Sequence, residues 1–116
     1  MNMLRPFIHA FRGLITVWKE ESHFRVQVFA TLLVLFSIYY FTFSFFESVV
    51  VLFATVLVLS AEIINTAIED VCNKIEPNQD RMIGKIKDVM SAFVLVTSLG
   101  AFIVGILTFC HHFISV

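Results

Sequence analysis

The sequence predicts an all-α integral membrane protein, and composition, hydropathy and charge placement support that prediction. The chain has 116 residues, enough for a single domain spanning 1–116, and 59% of them are hydrophobic. Its mean hydropathy is +0.90, and a soluble domain of this size could not bury so much apolar surface. Lys and Arg are missing from 26–73 and from 89–116, which leaves room for uncharged spans. We therefore expect one surface helix followed by three transmembrane helices.

The basic residues predict how the chain is oriented. They form two blocks, and by the positive-inside rule both blocks face the cytoplasm. The blocks lack the aromatic or groove-reading motifs of nucleic-acid-binding proteins, so no nucleic-acid partner is expected. The first block contains Arg5, Arg12, Lys19 and Arg25, and the second contains Lys74, Arg81, Lys85 and Lys87.

The first 22 residues have the pattern of an amphipathic helix lying on the membrane. Apolar residues recur at helical spacing from Leu4 to Trp18, and Arg5, Arg12 and Lys19 lie between them. Trp18 suits the level of the lipid headgroups. Residues 1–22 are therefore predicted to be an interfacial helix rather than a cleaved signal peptide.

Three longer segments are predicted to span the bilayer. About 20 apolar residues match a hydrocarbon core of roughly 30 Å. The first span ends at Tyr39 and Tyr40, which fit an aromatic belt at the outer surface. The predicted elements are span 24–43, span 46–75 with a cytoplasmic extension, cytoplasmic loop 76–85 and span 86–113.

The cysteines and C-terminal histidines are expected to have structural roles. Cys72 falls on the cytoplasmic side and Cys110 near the outer face, so the bilayer would separate them and no disulfide is expected. No Cys/His spacing typical of a metal site is present. His111 and His112 are predicted to be solvated residues at the outer end of the last helix rather than ligands.

A polar face on the second span is the main functional signal. Glu62, Asn65, Glu69 and Asn73 are three or four residues apart, so they share one face of a helix at the edge of the apolar run. An ionisable residue next to hydrocarbon is costly and is retained mainly where it has a partner or a function. The topology brings further polar residues to this level: Glu20, Glu21, Arg25, Asp70, Lys87, Asp88 and Ser91.

Several functions are compatible with such a cluster. Two or more carboxylates could hold Mg²⁺, which prefers oxygen ligands and is usually shared with substrate phosphates. A carboxylate nearer the hydrocarbon could take a proton from a lipid hydroxyl, and the basic residues could offset the charge of a phosphoryl group. An ion or proton pathway, a small structural subunit, and charges that only anchor helix ends are the alternatives.

The motifs resemble those of one family. The run from Glu62 to Glu69, followed by Lys87-Asp88, is similar to the signature of the small prokaryotic diacylglycerol kinase and undecaprenol kinase family, as are 10–14 and 20–25. The resemblance implies a homotrimer in the bacterial inner membrane, with active sites that are shared between protomers and face the cytoplasm. It also implies transfer of the ATP γ-phosphate to a lipid hydroxyl with Mg²⁺.

The resemblance assigns roles by matching position. Glu62 resembles the general base, and Glu21 and Glu69 resemble metal-binding carboxylates that also meet the nucleotide. Lys87 and Asp88 resemble residues near the phosphates and adenosine. The other assigned positions are His9, Asn78, Gln79 and Asp80 for the nucleotide, and Asn65 and Ser91, with Glu62, for the lipid.

The chain departs from the family pattern at two positions, and its features leave the lipid open. Asn73 stands where the family often has Asp, and Asp80 stands where His is common. The N-terminal half resembles the undecaprenol kinase branch, whereas Ser91-Ala92 resembles the diacylglycerol kinase branch. We predict that diacylglycerol is converted to phosphatidic acid, with undecaprenol as the alternative acceptor and a non-enzymatic ion or proton pathway as the further alternative.

Overall fold

The computed structural model of the chain describes residues 3–114, and they form helices joined by short connections. Residues 1 and 2 of the predicted surface helix lie outside the described range. The helices are α1 (Arg5–Glu20), α2 (Ser22–Tyr40), α3 (Phe45–Ile75) and α4 (Arg81–Ile114). Three of them, α2, α3 and α4, are long and apolar enough to cross a membrane, which confirms the predicted fold class.

The helices pack around α3. Its most extensive contact is with α4, it also packs against α2, and α1 contacts α2. The described part of the chain measures 53 × 42 × 22 Å, so it is a thin layer of helices with large apolar faces exposed. In a bilayer those faces are covered by lipid or by protein, because hydrocarbon replaces water as the solvent.

The amphipathic helix α1 is tied to the first span by an arginine. The Arg25 guanidinium donates hydrogen bonds to the carbonyl oxygens of Trp18, at 2.6 Å, and Lys19, at 3.2 Å. These carbonyls belong to the last turn of α1, which has no further helical residues to donate to it. Trp18 also contacts Phe29 of α2, with ring centroids 6.1 Å apart. Arg25 therefore fixes the α1–α2 corner.

The second span, α3, begins with a capping box. The Ser44 hydroxyl accepts from the Glu47 backbone N–H at 3.1 Å, and the Glu47 carboxylate accepts from the Ser44 N–H at 2.9 Å. The chain reaches this point through Thr42, whose φ of 52° lies in the left-handed region that β-branched residues rarely adopt. The turn between α2 and α3 is thus short and tightly defined.

The last helix begins earlier than the sequence suggested. We predicted a polar loop as far as Lys85, but α4 starts at Arg81. Asp80 explains the difference, because its Oδ2 accepts hydrogen bonds from the backbone N–H groups of Met82, at 3.0 Å, and Ile83, at 3.1 Å. This is the geometry of an N-cap residue, which allows a helix to begin among polar residues.

The start of α3 and the end of α4 are joined by histidines, which corrects the prediction for His112. His111 Nδ1 lies 3.0 Å from Glu47 Oε2, and His112 Nδ1 lies 3.0 Å from Glu47 Oε1. The His112 side chain is 22% exposed and that of Glu47 only 6%. His112 is therefore held by a buried carboxylate rather than being simply solvated, whereas the His111 side chain contacts the same carboxylate but is 63% exposed, as predicted for a solvated residue. Cys72 and Cys110 are free thiols, as predicted.

Candidate active site

The polar face of α3 lies in the C-terminal half of that helix and is buried at Glu62 and Asn65. Glu62 is 2% exposed and Asn65 is 8% exposed, while Glu69 is half-buried. Asn65 Nδ2 donates to Glu69 Oε1 at 3.4 Å. Glu62 Oε2 and Asn65 Oδ1 have no hydrogen-bond partner among residues 3–114. Buried oxygen atoms without partners are costly, so both are available to a ligand.

A cavity of about 530 Å³, which we call the acidic cavity, gathers the predicted catalytic side chains. It contains the predicted general base, both predicted metal-binding carboxylates and both further lipid-site residues. The walls come from the α1–α2 junction, α3 and α4. Its polar lining residues are Glu21, His23, Gln27, Glu62, Asn65, Glu69, Ser91 and Ser98.

Glu21 enters the acidic cavity from the α1–α2 corner. It is the one residue between the two helices and has an extended backbone, with φ −117° and ψ 108°. Burial raises the pKa of the Glu21 carboxyl above its usual value, and the nearby carboxylates of Glu69 and Glu62 raise it further. The cavity is therefore a place where negative charges repel one another and where a cation or a proton would be stabilised.

A second cavity, of about 580 Å³, lies at the start of α4, and we call it the loop cavity. It is lined by residues 77–80 of the connection and the first turns of α4, including Asn78, Gln79, Asp80 and Lys87. Lys87 and Ser91 are four residues apart on α4, so they share a helix face one turn apart. The two cavities thus follow one another along α4.

Two of the loop-cavity side chains, those of Asp80 and Lys87, are already engaged by the local structure. The Asp80 carboxylate caps α4, as described above, and the Asn78 backbone N–H donates to Glu76 Oε1 at 3.2 Å. Lys87 reaches across to α3, where its Nζ donates to Asn73 Oδ1 at 2.8 Å. His9 and Asp88 are exposed and line neither cavity. The single chain therefore brings together only part of the predicted nucleotide set.

The donor atoms of the acidic cavity suit a hard cation, although they do not form a complete cage. Among residues 3–114, no group of three or more His, Cys, Asp or Glu side chains is arranged to hold a metal ion. Mg²⁺ is usually held by one or two carboxylates together with water and substrate phosphates, so a complete protein cage is not required. Glu21 and Glu69 supply two such carboxylates, and their negative charges repel each other when no cation lies between them.

Sequence reasoning missed three polar residues that line the acidic cavity: His23, Gln27 and Ser98. Gln27 carried a signal, because it is the one strongly polar side chain well inside the first span, and its Oε1 is buried without a partner among the described residues. Ser98 carried none, since serine is common in membrane helices. Arg25, which we grouped with this cluster, is instead directed to the end of α1.

Comparison with known proteins identifies the family. The family model of prokaryotic diacylglycerol kinase matches residues 8–109. The chain belongs to this family. The diacylglycerol kinases of Escherichia coli (strain K12) and Shigella flexneri are each 31% identical to it over 102 residues, covering 88% of this chain and 80% of the relative.

Family membership confirms that the chain is a membrane lipid kinase. The comparisons favour neither the undecaprenol kinase reading nor the non-enzymatic pathway, since both relatives carry the name diacylglycerol kinase. The matched range contains the acidic cavity and the loop cavity in full. The kinase assignment and the two cavities therefore concern the same part of the chain.

Proposed function

We propose that this enzyme transfers the γ-phosphoryl group of ATP to the free hydroxyl of diacylglycerol, which yields phosphatidic acid and ADP. One observation carries the proposal: a buried carboxylate, Glu62, faces a cavity that continues into an apolar cavity within the membrane-spanning region. Gln27 and Ser98 line both cavities, so they mark the junction.

The apolar cavity suits the acyl chains of a lipid acceptor. It has a volume of about 590 Å³ and lies between α2, α3 and α4, with a lining that includes Val34, Phe102 and Ile106. A lipid whose chains occupy it would have its polar end among the side chains of the acidic cavity. An acceptor hydroxyl on that polar end would then come within reach of Glu62.

The proposed chemistry begins with the acceptor hydroxyl. Glu62 takes the hydroxyl proton as the lipid oxygen attacks the γ-phosphorus atom, and the bond from that phosphorus atom to the bridging oxygen of ADP breaks. Asn65 lies one turn away on the same face of α3, and its amide oxygen, which has no partner within the described part of the chain, can orient the acceptor. Ser91 faces the same space from α4.

Glu21 and Glu69 are proposed to hold Mg²⁺ together with the phosphate oxygens of ATP. The ion would offset the charge that develops on the transferring group. Electrostatic repulsion between the two carboxylates, which contributes to the raised pKa of Glu21, supports this assignment because a divalent cation would relieve it. Glu21 lies between α1 and α2 and Glu69 lies on α3, so the ion would also hold the α1–α2 corner against α3.

The nucleotide is proposed to extend from the acidic cavity into the loop cavity. Lys87 lies at the boundary, where its ammonium group can reach phosphate oxygens, and Asn78 and Gln79 line the space beyond. Asp80 contributes mainly by capping α4, which positions the start of that helix. Asp88 and His9 are assigned to the nucleotide by the family resemblance alone.

The cytoplasmic location and the homotrimer belong to the same proposal. The two blocks of Lys and Arg support placing both cavities on the cytoplasmic side, where ATP is available. The large exposed apolar faces leave room for contacts between copies. A second copy could bring His9 and Asp88 to a cavity that they do not reach within one chain.

The choice of lipid acceptor can be tested directly. Purified protein is given ATP and Mg²⁺ with diacylglycerol or undecaprenol at equal mole fraction in mixed micelles, and the initial rates are compared. We expect diacylglycerol to be phosphorylated with the higher kcat/KM. A higher kcat/KM for undecaprenol would overturn the proposed acceptor while leaving the lipid kinase assignment in place.

A further inference from the structure

A hydrogen bond between α3 and α4 lies at the edge of the loop cavity. Lys87 Nζ donates to Asn73 Oδ1 at 2.8 Å, and the two residues are 14 positions apart in the chain. Asn73 lies four residues beyond Glu69, on the same face of α3. Lys87 precedes Ser91 by four residues on α4. Because the two helices run in opposite directions, the bond lies one turn on the cytoplasmic side of the acidic cavity.

The bond fixes a side chain that would otherwise be mobile. Lysine has a flexible four-carbon stem and a compact charge, so an exposed lysine samples many positions. Lys87 is half-buried and lines the loop cavity, and its contact with Asn73 selects positions close to α3. Ordering the ammonium group in advance reduces the entropy that a bound phosphate would otherwise cost.

The hydrogen-bond partner of Lys87 is a neutral amide, and this neutrality matters as much as where the amide lies. The Asn73 amide oxygen accepts one of the three N–H bonds of the ammonium group and leaves the other two available. An amide oxygen does not cancel the positive charge, whereas a carboxylate at the same place would form an ion pair with Lys87. The lysine thus retains its charge for an anionic ligand.

We propose that Asn73 is a positioning residue that holds Lys87 in place to bind a phosphate group of the nucleotide. The inference rests on the proposed function, since it takes ATP as the ligand of the loop cavity. Loss of one hydrogen bond of this kind corresponds to about a two- to tenfold change in affinity, so Asn73→Ala should weaken ATP binding by about that factor.

The test is a double-mutant cycle on Asn73 and Lys87, read out by ATP binding and by kinetics. Binding of a fluorescent ATP analogue and the KM for ATP are measured in Asn73→Ala, Lys87→Gln and the double variant. The control is Ile75→Ala, a truncation at an exposed position in the last turn of α3. We expect Asn73→Ala to weaken binding and raise KM with little change in kcat, and to have no further effect once Lys87 is Gln.

Asn73→Asp separates positioning from charge, because it keeps the oxygen at the same place and adds a negative charge. It should weaken ATP binding at least as much as Asn73→Ala does, whereas Asn73→Gln, which retains the amide one methylene further out, should recover part of the affinity. Unchanged binding in Asn73→Ala, or an equal loss in the Lys87→Gln background, would overturn the inference. The binding readout stands even if wild-type protein fails to phosphorylate diacylglycerol, so failure of the proposed function would be seen separately.

Discussion

Replacement of Glu62 by Gln should abolish most catalysis while leaving the fold intact. Gln has nearly the same shape but cannot accept a proton from the lipid hydroxyl. Loss of a general base typically lowers kcat by about 10²–10⁴-fold, which corresponds to ~3–5 kcal/mol of transition-state stabilisation. We expect a decrease of that size in kcat for diacylglycerol phosphorylation.

The structure predicts little effect of this substitution on stability. Glu62 is 2% exposed, and its Oε2 has no hydrogen-bond partner among residues 3–114, so an amide at that position breaks no hydrogen bond there. The change also removes one of the negative charges that repel Glu21. The free energy of unfolding should therefore stay the same or increase.

The assay follows ADP release with diacylglycerol in mixed micelles, and thermal unfolding is recorded on the same preparations. Asp70→Asn is the matched control, since Asp70 is an exposed carboxylate on the same helix. It should retain wild-type kcat and stability. The reasoning would be refuted if Glu62→Gln turned over within about tenfold of wild type, below the range expected for a lost general base.

Three further substitutions test other parts of the site and fold. Glu69→Gln should raise the Mg²⁺ concentration needed for half-maximal activity at saturating ATP, and an unchanged Mg²⁺ titration would remove Glu69 from the metal site. The pKa of Glu21 is raised above its usual 4.5 in the folded protein, so the folded state binds that proton more tightly and, without Mg²⁺, the free energy of unfolding falls as pH rises above about 4.5. In denaturation experiments with EDTA, the free energy of unfolding of Glu21→Gln minus that of wild type should therefore be larger at pH 7 than at pH 4. A difference that does not change with pH would contradict this. Ser44→Ala should cost about 1 kcal/mol in unfolding free energy, because it removes the N-cap oxygen of α3, and equal stability would argue against the cap.

Hydropathy and charge placement were sufficient to predict the fold class. The spans are long apolar runs, and such runs must form helices in a bilayer because their backbone groups have no water to bind. The start of α4 was placed too late, because the pattern between Glu76 and Lys85 is polar whether it is loop or helix. Only the hydrogen bonds accepted by Asp80 distinguish the two.

The candidate site was predictable to the extent that it follows helical spacing. Glu62, Asn65 and Glu69 share one face of α3 by sequence spacing alone, and they do line one cavity. Contacts between helices were not predictable in the same way. The Glu47 contacts with His111 and His112, and the Asn73 contact with Lys87, depend on how α3 and α4 are aligned, which hydropathy does not specify.

The central claim is that phosphoryl transfer from ATP to the lipid depends on the carboxylate of the acidic cavity. It is tested most directly by incubating purified protein with γ-labelled ATP, Mg²⁺ and diacylglycerol, and then measuring the label in the extracted lipid. The account predicts label in phosphatidic acid with wild-type protein and with Asp70→Asn, and almost none with Glu62→Gln. Label that stays out of the lipid fraction with wild-type protein, or that enters it equally fast with Glu62→Gln, would contradict the account.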